Sequence, residues 1–254
     1  MLVRKTDLTG RKLFRFSALG LTAVACAAAA FMFTAPAAGA QGINWTNFTS
    51  ATPGLPGSAV GTITTPGGTV GVSYTGEVRS GSQTNNTGYN VFQPASTFNG
   101  GTGNAPPNSD FIALYGGNTL TNTITFSRPV NNVFFSVFSL GSTGAGGTVQ
   151  YLFNTPFNIV SQGPSSAYGG CNTCLSQMGN VLTGTEGDGT LRFGGTISSL
   201  SFTVSGFENY HAFTVGTNDI AAGQSTVPEP SSMALLGTGL VGLVPMMRRR
   251  RNGA

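Results

Sequence analysis

Through the middle of the chain, apolar and polar residues alternate over short runs, and glycine, asparagine or proline closes each run. In Ile197–Ser205, the residues Ile197, Leu200, Phe202 and Val204 fall mostly on one side, while Ser201, Thr203 and Ser205 fall on the other. A period of two marks a strand with one buried and one wet face. The same rule predicts strands at Val60–Thr65, Thr69–Thr75, Phe111–Tyr115, Asn122–Ser127, Asn132–Leu140, Gly147–Phe153, Phe157–Ser161, Thr190–Phe193 and Ala212–Gly216. No stripe of period 3.6 in this region is long enough to predict a helix. Many short strands separated by turn residues predict an all-β fold, an antiparallel β-sandwich or jelly-roll-like single domain. Ile124–Phe138 reads as strand, turn, strand, with Pro129 in the turn because proline brings no donor to a ladder. Phe134, Phe135 and Phe138 then belong to the core, and Asn99–Asn108 and Gln162–Gly170 are loops.

The two ends break this pattern. Arg4, Lys5, Arg11, Lys12 and Arg15 precede an apolar run from Phe16 to Phe33, and Ala38-Gly39-Ala40 offers a small-x-small cleavage site, so residues 1–40 read as a secretory signal peptide. Residues 41–219 are the secreted domain, 220–226 a linker, and 227–254 a tail of three blocks. Val227-Pro228-Glu229-Pro230 comes first; its prolines fix φ and disfavour helix in the residues before them, which keeps the motif extended. Ser231 to Met247 follows, 17 residues with an apolar character that reach about 25 Å as a helix, close to the thickness of a bilayer core. Arg248, Arg249, Arg250 and Arg251 end the span and hold that flank in the cytoplasm. Ala234, Thr238 and Gly242 recur every four residues, a face suited to close helix packing, or a coincidence of composition.

This order of proline-flanked glutamate, span and arginines resembles the sorting tail of PEP-CTERM proteins; the same kind of tail is also labelled an ice-binding protein C-terminal domain, a name that says nothing of ice. The resemblance implies an exosortase as partner, with Val227, Pro228, Glu229 and Pro230 as its recognition motif, cleavage nearby, and passage through the inner membrane of a Gram-negative bacterium to the cell surface. It also implies association with exopolysaccharide or a biofilm matrix. The stretch from Phe126 through Pro129 and Val130 to Phe135 is similar to the central hairpin of secreted bacterial β-sandwich modules, some of which bind sugars.

Charge changes meaning once the ends are set apart. The whole chain carries +4. Between Gln41 and Thr226 only Arg79, Arg128 and Arg192 stand against Glu77, Asp110, Glu186, Asp188, Glu208 and Asp219, and there is no lysine, which leaves this part at −3. The basic balance belongs to the two ends, so nucleic acid is excluded as a partner of the secreted part.

Candidate chemistry is sparse. His211 is the single histidine, no G-x-S-x-G elbow accompanies it, and the six acids single out no pair for glycoside hydrolysis. The expectation is a protein that is not an enzyme and needs no cofactor; a glycoside hydrolase is the less favoured alternative. Cys171 and Cys174, in C-N-T-C, read as a short-range disulfide outside the cytoplasm, the alternative being free or metal-bound thiols. Glu186 and Asp188 place hard oxygen ligands at alternate positions, a pattern suited to a structural Ca²⁺, or else form a solvated turn. Trp45, Tyr89, Tyr115, Tyr168 and Tyr210 lie in or beside loops, where an aromatic face can stack on a sugar ring; Tyr89 and Tyr115 are the preferred candidates for a carbohydrate-binding site.

Overall fold

The computed structural model describes residues 42–144 and 146–220. The signal peptide, the residues of the linker after Ile220, the 227–230 motif, the apolar span and Arg248–Arg251 all lie outside the described residues. Among the described residues no helix is long and apolar enough to cross a membrane.

The expected all-β antiparallel class is observed. Twelve strands join in a single open sheet: β1 (Asn44–Trp45), β2 (Asn47–Thr52), β3 (Gly54–Thr65), β4 (Gly68–Val78), β5 (Ile112–Gly116), β6 (Thr121–Leu140), β7 (Val149–Phe153), β8 (Asn158–Gln162), β9 (Leu175–Met178), β10 (Val181–Gly184), β11 (Gly187–Ser205) and β12 (Phe207–Ile220). One helical turn, α1 (Ala95–Phe98), lies in the connection from β4 to β5. The main path runs β2-β3-β4-β6-β11-β7-β10-β9, with β12 paired to β6 and carrying β1 and β5, and β8 on β11.

The local reasons are legible at several points. Along β3, Ala59 and Ile63 are buried while Ser58, Val60, Thr62 and Thr64 face out, and Pro66 and Gly67 alone turn the chain so that Thr65 pairs with Gly68. The predicted strands Thr190–Phe193 and Ile197–Ser205 are one strand, β11.

The predicted Pro129-centred turn is corrected: Pro129 lies inside β6, which runs unbroken through it. Its missing donor falls where the β6–β11 register slips between Ile197 and Ser199, and a second slip follows between Phe193 and Thr196. Asn132, at φ 53, and Gly195, at φ 84, take the left-handed conformations at this bend. A bulge tolerates proline because the residue there owes the ladder no bond.

At that bend both long strands change neighbours. The first half of β6 pairs with β4, and its second half with β12. The second half of β11 pairs with β7, and its first half with β8. The sheet therefore folds over itself along these two strands. Tyr74 of β4 meets Phe213 of β12 at 5.3 Å between ring centroids, and Phe202 of β11 meets Phe213 at 5.6 Å, although neither pair shares a ladder. Phe135 sits at the centre, stacked on Phe213 at 4.7 Å and edge-on to Phe153 and Phe202.

The second half of β6 is buried on both faces, from Val133 to Leu140. Its outer face is covered by two smaller apolar clusters: Ile43, Trp45 and Phe134 form one, and Val91, Phe92, Phe98, Phe111, Ala113, Phe138 and Ala212 form the other. Phe134, Phe135 and Phe138 are all core residues.

Candidate functional site

The far end of β6, past Phe138, emerges from the double-sided core into a cleft of about 530 Å³, within the range of small-ligand sites. Ser139, Tyr168, Glu186, Glu208, Asn209 and Tyr210 supply its chemistry. Four chain segments converge here. β6 brings Ser139, the start of β12 brings Glu208 to Tyr210, the turn between β10 and β11 brings Glu186, and the 163–174 connection brings Tyr168.

Ser139 organises the acids. Its hydroxyl donates to Glu186 Oε1 at 2.7 Å, and its backbone N–H donates to Asp188 Oδ1 at 2.9 Å. Ser139 (φ 53) and Glu186 (φ 57) both hold left-handed backbone, which costs a non-glycine residue of order 1–3 kcal/mol and persists only where surrounding contacts impose it. Two residues on, the N–H of Gly141 donates to Glu208 Oε1 at 2.7 Å, and His211 Nδ1 stands 2.6 Å from the same oxygen. Gly141 has φ 76, and a Cβ there would collide with the Gly184 carbonyl, so the turn that presents this N–H requires glycine.

Asp188 lies behind the cleft, fully buried. Burial pushes its carboxyl up to about 7, and the nearby Glu186 charge pushes the same way, while hydrogen bonding from Ser139 and Ser165 opposes. Its Oδ2 faces Gly170, where a Cβ would come within 2.6 Å.

The aromatic wall is built on the outer cluster. Tyr168 stacks on Phe138 with centroids 5.6 Å apart and planes 23° apart, and Tyr210 stands 5.7 Å from Tyr168. Tyr168 is 39% exposed. Burial raises the pKa of both phenols. The loop that presents Tyr168 is tied down: Ser165 and Gly169 exchange backbone hydrogen bonds, the Tyr168 N–H donates to Ser165 Oγ, and a disulfide joins Cys171 to Cys174 with Cα atoms 5.1 Å apart.

The other singled-out residues are placed elsewhere. Tyr115 lines a separate hollow with Leu55 and Arg79, and the Arg79 guanidinium lies 4.4 Å from its ring centroid. Phe207 meets the Tyr115 ring edge-on at 6.2 Å. Tyr89 is exposed in the connection between β4 and β5 and does not line that hollow. Trp45 is buried, and His211 is fully buried within β12. Glu186 and Asp188 do converge, on Ser139, yet among the described residues no three His, Cys, Asp or Glu side chains gather where they could hold a metal ion.

What sequence reasoning missed here is Ser139 and Gly141, at the end of a predicted strand, and Glu208 and Asn209, which sit in a dense polar run, Glu208-Asn209-Tyr210-His211, just where an apolar strand begins. That run was the available signal. Its meeting with Glu186 and Tyr168 depends on the folding of the sheet.

No curated protein and no solved structure matches the chain. At its far end, residues 226–251 match the PEP-CTERM protein-sorting motif, and the chain is a carrier of that motif.

Proposed function

We propose that this chain is a non-enzymatic extracellular protein of a Gram-negative bacterium, delivered by its signal peptide, anchored in the inner membrane by its tail until processed, and associated afterwards with extracellular polysaccharide. The observation that carries the reading is the PEP-CTERM motif at residues 226–251, which implies export and sorting to the cell surface by an exosortase. What precedes the motif supports it. The β domain has no lysine, and Thr and Ser line its outward faces, as along β3. Such a surface suits hydrated, hydroxyl-rich surroundings.

The cleft supports a binding role for the domain. Its carboxylates are engaged by Ser139, Gly141 and His211, and Tyr168 and Tyr210 provide ring faces beside them.

The test expresses the full chain, and a variant ending at Thr226, in a host that has an exosortase and secretes polysaccharide. The full chain is expected in the surface polysaccharide fraction without its arginine end, and the truncated form in the medium. Retention that survives enzymatic digestion of the polysaccharide would refute the matrix association. New reducing ends released from the polysaccharide by the purified protein would refute the non-enzymatic assignment.

A further inference from the structure

We propose that the cleft at the end of β6 binds an amine-bearing sugar residue of a polysaccharide, with Tyr168 as the stacking face and Glu186 and Glu208 as the partners of the ammonium. The inference rests on the extracellular reading above and deepens it by naming the class of sugar.

Three observations point to this ligand. First, the cleft combines aromatic and hydrogen-bonding groups in one wall. Tyr168 is backed by Phe138 and flanked by Tyr210, which fixes its ring at little cost on binding. A pyranose has an apolar face that lies on such a ring, and its hydroxyls need partners at the edge. Asn209, exposed at the rim, and Ser142 are placed to serve them.

Second, the charge is one-sided. Glu186 and Glu208 line the cleft, and no arginine or lysine does. The arginines are committed elsewhere: Arg79 to Glu77 at 2.6 Å, and Arg192 to Asn132 at 2.9 Å, while Arg128 lies by the β3–β4 turn at Gly68. Anionic sugars would meet two carboxylates and no counter-charge. An ammonium gains from both the carboxylates and the tyrosine rings.

Third, the carboxylates are held in place before any ligand arrives. The hydrogen bonds from Ser139 and Gly141 and the contact with His211 all go to one oxygen of each, Oε1. Ser139 and Glu186 adopt left-handed backbone, conformations that a non-glycine residue keeps only because the surrounding structure imposes them.

The experiment measures binding of three probes to the full-length protein in mild detergent at low ionic strength: a glucosamine hexamer with free amines, its N-acetylated counterpart, and a polyuronate hexamer. The glucosamine hexamer is expected to bind about tenfold more tightly than the acetylated one, with no heat from the uronate. Glu186→Gln and Tyr168→Ala should each weaken it by about tenfold at unchanged melting temperature, while Tyr168→Phe keeps binding. No binding of the glucosamine hexamer, equal binding of all three probes, or equal binding of an oligolysine of matching charge would overturn the proposal. So would full binding by the Tyr168→Ala and Glu186→Gln variants. The matrix reading fails separately: loss of surface retention with glucosamine binding intact removes that reading alone, and retention without glucosamine binding removes only this site.

Discussion

Asp188 shows how much a single side chain depends on its surroundings. In the unfolded chain its carboxyl titrates near 3.8; in the fold, burial holds it at about 7. Between those values the folded state binds the extra proton, so stability falls as pH rises from about 4 to about 7 and is flat above. Asp110, also raised by burial, contributes with the same sign. Asp188→Asn should remove the larger part of this slope. The check is the urea midpoint at pH 4.5 and 7.5: the wild-type protein should lose midpoint between them, and the variant should lose clearly less. An equal loss in both would show that the slope arises elsewhere. Glu77 is fully buried too, and it takes donors from Arg79, the N–H groups of Tyr115 and Gly116, and Asn118. Arg79 is the one donor visible in the run Gly76-Glu77-Val78-Arg79; Tyr115, Gly116 and Asn118 come from some forty positions away.

At the scale of elements, the shared bend of the paired strands β6 and β11 holds the sheet folded, and Phe135 is at its centre. Truncation there removes contacts to Phe153, Phe202 and Phe213 at once. Phe135→Ala should cost about 3–5 kcal/mol, read from the shift of the denaturant midpoint at constant slope. The Cys171–Cys174 link closes a ring of only a few residues, so its reduction should cost no more than about 2 kcal/mol. The expected result on adding reductant is a small drop in melting temperature with unchanged far-ultraviolet dichroism, measured on the same sample. β3 and β4 were legible as strands because one face is wet and alternation survives. β2, β9 and β10 were not: NFTSAT, LSQM and VLTG are short and carry little apolar alternation, and it is their neighbours in the sheet that make them strands. Pro129 misled for a related reason. A proline signals a break only if its position owes a ladder bond, and the bulge opposite Ile197–Ser199 removes that debt.

For the whole molecule, the separation of charge is the governing fact. Residues 41–226 carry −3, and four of the chain's arginines stand together at 248–251. Under the proposed topology, replacing Arg248 to Arg251 with asparagine should lower the membrane-bound share of the unprocessed chain severalfold, measured by fractionation in a host lacking exosortase. An unchanged share would show that the apolar run anchors without its basic flank. The cleft belongs to this scale too, since β6, β12, the β10–β11 turn and the disulfide-bearing loop meet only once the sheet has folded on itself.

By itself the sequence determined the sorting motif and the class of fold, because both are written in local order: the motif is one short consecutive stretch, and a strand needs a period of two. Only the tertiary structure decided which aromatics and acids share a site. Tyr168, Glu186 and Glu208 lie tens of residues apart along the chain, and what brings them together is the bend of two long strands whose bulges leave no periodic trace. Proximity across a folded sheet is set by register, and register is a property of paired strands that no single stretch of chain contains.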